Sequence, residues 1–226
     1  MATSRDLKRL LQPLLARRTD LAFVRRTLFF QPFTHYLRGA KFDLSLFSTV
    51  SDATSFAHQL YNGQTVEDMS LSQRYAYLMP QDWEANLDRT SSVLCDEMER
   101  RILPAVEGIV DYIEHQRHPL FGPPPGRKIS DSPMVTFVVA LGECSVGDFD
   151  SAEKTLSDCL HPLPIDAVIE VSRYSDYARG RMFYLLNVLR KDHGQVLPLL
   201  HDWEAHAVKG MKLTKYWKPT PFPCEL

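Results

Sequence analysis

No two of the four cysteines, Cys95, Cys144, Cys159 and Cys224, form a C-x-x-C pair. A zinc ribbon or thioredoxin-type motif is therefore excluded. Long apolar runs are also missing. The longest, Met134 to Leu141, is interrupted by Thr136 and is far too short to span a bilayer. The opening residues Met1-Ala2-Thr3-Ser4-Arg5-Asp6 lack the apolar centre of a secretory signal, and Ala2 excludes simple N-myristoylation. Asp6 and Asp20 argue against an Arg-rich organelle presequence. These absences predict free thiols, no membrane contact and a cytoplasmic location. A nucleophile elbow of the G-x-S-x-G type is absent as well. Gly126-Arg127-Lys128 is no phosphate loop, because Pro123, Pro124 and Pro125 lack the N–H donors such a loop needs. No cofactor is expected.

Excess charge of one sign is lacking overall, with a formal net charge of −2, so no global field draws the chain to nucleic acid or membrane. The distribution is uneven. Residues 1–41 carry nine Lys or Arg against Asp6 and Asp20, a net +7; residues 42–115 carry four Arg against thirteen acids, a net −9. Such a split either serves an anionic partner or places the basic start beside the acidic middle within one fold. The second alternative is the expectation, and nucleic acid is not an expected partner.

What is present reads as an α+β protein. Leu7, Leu10, Leu11, Leu14 and Leu15 recur at helical spacing over residues 5–17, with Pro13 bending or breaking the helix. From residue 22 to 79 aromatic and β-branched residues are dense. Phe23 to Gln31, Thr34 to Phe42, Leu44 to Val50, Ser55 to Tyr61 and Arg74 to Met79 are strand candidates. Closely spaced without helices between them, they predict an antiparallel sheet of about four strands. Gln81 to about Gln116 predicts a long helix, N-capped by Asp82 and kinked at Pro104, that covers the sheet.

Residues 118–130 hold Gly122-Pro123-Pro124-Pro125-Gly126, a loop or linker. It divides an α+β region, 1–117, from a helical region, 131–226, which either stands apart or shares one core with the first. The helical half predicts a hairpin (Pro133 to Val146, Ser151 to Leu160), a short helix at Ile165 to Val171, and helices over Tyr174 to Lys191 and Gln195 to Val208. Gly194 occupies a C-terminal stop position. Prolines extend the tail from Tyr216 to Pro223, and its aromatics are expected to lie against the body.

The hairpin carries Ala140, Gly147-Asp148-Phe149-Asp150, Ala152, Leu156, Cys159, Leu160 and Pro164. In these residues it resembles a single tetratricopeptide unit, with the family's tight turn, small helix-contact positions and closing proline. The resemblance covers about thirty residues, has Thr136 where the family places a large aromatic, and does not recur at a thirty-four-residue period. It implies a helix-pair packing solution and, from the family, peptide or protein binding.

Chemistry is sparse. Asp111, His115 and His118 share a face on a continuing helix, a minimal metal-ligand set without a fourth donor. His201 and His206 stand five apart with Glu204 between them. The imidazoles are then about 140° apart, which fails the zinc-protease geometry. His35 and His58 lie on separate strand candidates; with Tyr36, Tyr61, Tyr75, Tyr77 and Asp43 or Asp52 they form a candidate acid–base pocket. Asp96 and Glu97 beside Cys95 disfavour a thiolate. Arg17, Arg18, Arg25 and Arg26, interleaved with Phe23, Phe29 and Phe30, are the candidate RNA contact; a strand through 25 and 26 would point them to opposite faces. The leading expectation is a non-catalytic protein-binding or regulatory module. The alternatives are an enzyme using His35 or His58 in a pocket between sheet and helices, and an RNA-associated protein using the basic N-terminal stretch.

Overall fold

The structure, a computed structural model, describes residues 3–44, 50–63, 72–78, 85–117, 133–160 and 173–226; for 43–44, 50–52, 72–78, 115–117 and 173–177 it describes the backbone alone. The chain forms two compact units. The first comprises Met1–His58, Leu71–Phe121 and Lys215–Lys218; the second comprises Gln59–Ser70, Gly122–Thr214 and Pro219–Leu226. One change of unit, at Phe121/Gly122, falls inside the proline-rich stretch, and the others fall elsewhere.

The first unit opens with two short helices, α1 (Ser4–Leu10) and α2 (Gln12–Arg17), divided at Leu11 because Pro13 suits only a first turn. Thr3 and Asp6 form a reciprocal capping box at the start of α1. Leu7, Leu10, Leu11 and Leu14 are all essentially inaccessible. Each such leucine contributes about 1.5–3 kcal/mol of transfer free energy. They pack towards α3 (Leu87–Glu97), where Ser91 donates its hydroxyl to the Leu10 carbonyl at 2.6 Å.

Five strands follow, in line with the expected antiparallel sheet of about four: β1 (Leu21–Val24), β2 (Thr27–Phe30), β3 (Tyr36–Leu44), β4 (Val50–Gln59) and β5 (Ser72–Leu78), in spatial order β1-β2-β3-β4-β5. The pairs β1–β2, β2–β3 and β4–β5 are antiparallel. The candidate Leu44 to Val50 lies mostly outside the described residues, and Phe23 to Gln31 is not one strand. The chain reverses at Arg25-Arg26, pairing Val24 with Thr27. Arg25 adopts φ +57°, the left-handed region that hairpin turns of this length require and glycine usually fills. Gly39 faces Leu28 and Phe29 of β2; a Cβ there would lie 2.0 Å from the Leu28 carbonyl oxygen.

The long helix of the acidic middle is interrupted. Residues 81–84, with the expected cap Asp82, lie outside the described residues, and α3 starts after Asn86. A π turn, Met98–Ile102, follows α3, and the Leu103 N–H bonds to the Met98 carbonyl at 2.9 Å. That widened turn accommodates Pro104, which begins α4 (Pro104–Glu107). The chain breaks again at Gly108 to Val110, then α5 (Tyr112–Arg117) begins. α4 packs on β3.

In the second unit α6 (Pro133–Ser145) is apolar around its whole circumference and is buried from Thr136 to Gly142, as such a helix must be. α7 (Phe149–Leu160), α8 (Arg173–Lys191) and α9 (Val196–Met211) surround it. The α6–α7 turn is built as the sequence predicts. Gly147, at φ +82°, donates to the Cys144 carbonyl and Asp148 to the Glu143 carbonyl, a complete Schellman ending. Asp148 then accepts the Ser151 N–H at 3.2 Å and caps α7. α8 does not end on Gly194. It ends at Lys191, where Asp192 turns the chain and accepts the Gly194 N–H at 2.9 Å. The predicted helix at Ile165 to Val171 lies outside the described residues.

The tail aromatics lie against the body. Tyr216 meets the Phe29 ring edge-on at 5.2 Å, and the Phe33 backbone bonds to both Tyr216 and Lys218. In the second unit Phe222 is fully buried, edge-on to Tyr61 at 5.2 Å.

Candidate functional site

The predicted acid–base pocket is described only in part. His35 precedes β3 and His58 ends the first unit's part of β4; both are buried, 8% and 4% exposed. A buried histidine with satisfied contacts is poorly placed to meet a substrate. Tyr36 is likewise buried, while Tyr61 belongs to the second unit. The side chains of Asp43, Asp52, Tyr75 and Tyr77, which the pocket also needs, lie outside the described part of the structure.

Asp111 does not sit on a continuing helix. It precedes α5, and its carboxylate accepts the Glu114 N–H at 2.9 Å as an N-cap. His118 and the His115 side chain lie outside the described part. Among the described residues no group of three His, Cys, Asp or Glu is arranged to hold a metal ion.

The basic start is partly neutralised by the acidic middle, as the charge split predicted. Arg17 pairs with Glu99 at 3.0 Å. Arg18 forks onto Asp20 at 2.9 and 2.7 Å and reaches Glu107 at 2.8 Å. The Asp20 carboxyl is held below the usual carboxylate range by the Arg18 hydrogen bonds. Arg18 and Arg38 both approach the Phe30 ring, at 5.8 and 5.1 Å. Arg25 and Arg26 form the exposed β1–β2 turn instead of strand positions on opposite faces.

Cys95 is buried and its thiol is raised, as expected, but the main cause is burial; among neighbouring carboxylates only Glu99 adds to it. Cys144 is also raised by burial, whereas Cys224 is exposed. Cys159 is half-buried at the end of α7.

The cluster the sequence placed apart is only partly apart. His206 turns to Asp202, with Nδ1 2.8 Å from its carbonyl oxygen. His201 turns the other way. Its Nε2 lies 2.9 Å from Glu225 and its Nδ1 3.9 Å from the fully buried Glu204. Glu225 also accepts the Phe222 N–H at 2.6 Å, so this trio clasps the segment 222–225 onto α9. With both ring nitrogens facing carboxylates, His201 is engaged in structure. Local spacing carries no sign of Glu225, which is twenty-four residues away.

The densest assembly of recognition-type side chains lies nearby on α8 and α9. Arg181 stacks on Trp203, its guanidinium carbon 4.4 Å from the ring centroid, and donates from Nη1 to the Asn62 carbonyl at 3.2 Å. Gly63, at φ +72°, makes room for it: a Cβ there would fall 1.8 Å from Nη1. Phe137 meets Trp203 edge-on at 6.2 Å, and Tyr184 lies 6.3 Å from the same ring. Tyr184 and its neighbour Phe183 are 55% and 52% exposed. The buried stripe of α8 is Ala178, Met182, Leu185, Leu186 and Leu189. Phe183 and Tyr184 lie about 120–140° from its centre. A helical wheel therefore carried the signal: two aromatics off the apolar face. No family model matches the chain, and neither a curated protein nor a solved structure matches it.

Proposed function

We propose that the protein is a non-catalytic protein-binding module whose contact surface is the outer face of α8. The observation that carries this reading is the pair Phe183 and Tyr184, two adjacent aromatics with more than half of each side chain in solvent. Beside them Arg181 and Trp203 are held rigid, by stacking and by the Asn62 carbonyl. Tyr, Trp and Arg are the residues that dominate binding energy when desolvated at an interface. Rigid aromatic anchors lose little conformational entropy on binding. The α6–α7 hairpin, which packs on α8 and resembles a tetratricopeptide unit, supports the same reading.

The test is recovery of tagged protein from its own host, comparing wild type with a Phe183→Ser, Tyr184→Ser double variant. Both positions are exposed, so the variant keeps its helical circular dichroism. A protein recovered in stoichiometric amount by the wild type and lost by at least about ten-fold from the variant supports the reading, since two anchors are each worth about 1–2 kcal/mol or more. Undiminished recovery by the variant contradicts it.

A further inference from the structure

Three cations gather at the β1–β2 turn and on β3 beside it, without a counter-charge among the described residues. Arg25 and Arg26 are exposed at the turn. Lys41 is the register partner of Thr27, and the next residue, Phe42, donates its N–H to the Arg26 carbonyl at 2.9 Å. Lys41 is thus held on the strand beside the turn. Arg17 and Arg18 have acidic partners; among the described residues the side chains of these three make neither ion pair nor hydrogen bond. Arg25 also carries a conformational cost. An L-residue at φ +57° is disfavoured relative to right-handed backbone. A turn that would be more stable with glycine presents a guanidinium instead, and strain of this kind collects where a side chain is used.

The neighbouring edge is closed to an added peptide strand. On the outer edge of β1 the Leu21 N–H bonds to the Arg18 carbonyl, and the Leu21 carbonyl accepts from the Gln31 side chain at 3.1 Å. Too little free backbone remains for strand addition. What is left is charge, with the half-exposed Phe23 one residue before Val24; its ring meets Phe42 edge-on at 6.2 Å. Arginine forks and a lysine ammonium suit phosphate oxygens, and a half-exposed aromatic near the turn suits an unstacked base.

We propose that this hairpin tip binds the phosphate backbone of single-stranded nucleic acid, through Arg25, Arg26 and Lys41. Binding is sequence-tolerant and salt-sensitive. Three phosphates neutralised on a single strand give a log–log salt slope near −2, or about fifteen-fold weaker binding for a four-fold rise in salt. This site is independent of the α8 surface, so either can fail alone.

The experiment is fluorescence anisotropy of the full chain with a labelled oligouridylate, titrated at several salt concentrations. The variant is Arg25→Gly, Arg26→Gln, Lys41→Gln; glycine at 25 keeps the turn geometry, so a loss reports charge and not misfolding. Saturable binding with a slope near −2, weakened at least about ten-fold in the variant, is the expected result. Three results would overturn it: no binding at low salt, binding unchanged in the variant, or equal binding to polyglutamate, which would make the tip a carboxylate reader. A companion variant, Arg5→Gln, Lys8→Gln, Arg9→Gln, keeps the binding; if it alone abolishes binding, the site is on α1 and the proposal falls.

Discussion

Single residues in this protein sit where another would be more comfortable, and those positions are the most directly testable. Lys212 ends α9 at φ +60°, ψ +38°, with the Leu213 N–H bonded to the Val208 carbonyl at 3.0 Å. This is the Schellman geometry that glycine favours. The side chain is exposed and engages no partner among the described residues. Relief of the left-handed cost outweighs the extra freedom glycine gives the unfolded chain. Lys212→Gly is expected to raise stability by about 0.5–1 kcal/mol, read as a higher urea midpoint at unchanged slope.

Glu143 is the opposite case, a carboxyl in a partly buried place. Burial raises it above its ordinary 4.5, offset in part by the Thr155 hydroxyl, which donates to Oε1 at 3.3 Å. Its Oε2 has no partner. The folded state then holds this proton to higher pH than the unfolded chain does. Stability from this group falls as pH rises from 4.5 through the folded value, and is level on either side. Asp6 and Asp20 work the other way, since both are lowered and their contribution fades as pH drops below 3.8. Glu143→Gln keeps the acceptor for Thr155 and removes the charge. It is expected to be more stable than wild type at pH 7, with the difference vanishing below about pH 4. Denaturant titrations at both pH values check this.

At the scale of elements, local rules were followed wherever a single residue type was decisive. Gly147-Asp148 ends one helix and caps the next, and both roles were readable from the turn residues. Pro13 and Pro104 each mark a helix start. The reading of Phe23 to Gln31 as one strand failed for a clear reason. Its turn is made by Arg25 and Arg26, residues with no turn propensity, so no glycine or asparagine announced it. The end of α8 at Lys191 is the expected one, but Asp192 makes the stop through its own side chain, not Gly194. Pairing between β2 and β3 has an equally concrete requirement. Gly39 admits no side chain, since a Cβ would meet Leu28 and Phe29 backbone that cannot withdraw without breaking the ladder. Gly39→Ala is expected to cost about 3 kcal/mol or more. Thermal unfolding would show it, and a near-normal melting temperature would mean the β2–β3 register is wrong.

At the scale of the whole chain, the α+β class with a helical second half was legible from periodicity, and so was the neutralisation of the basic start by acidic residues of its own unit. One change of unit, at Phe121/Gly122, falls in the proline-rich stretch that the sequence marks, but the returns of the chain were not legible. Residues 215–218 belong to the first unit and 219–226 to the second, and nothing in local composition encodes such a return. The candidate surface was legible on a helical wheel of α8 alone, but not its setting among the packed helices. Burial decides it, and only the packed helices show that Phe183 and Tyr184 are left outside while Trp203 and Phe137 are taken in. Among the described residues no helix is long and apolar enough to cross a membrane, so this aromatic pair is not part of a helical span.

The central claim, that the protein works by holding another protein, is tested most directly by native mass spectrometry on tagged protein recovered gently from its host. The account predicts a mass increment of a whole polypeptide in stoichiometric amount, absent from the Phe183→Ser, Tyr184→Ser variant. A small-molecule or metal increment carried by wild type and variant alike would contradict it and return attention to the histidines.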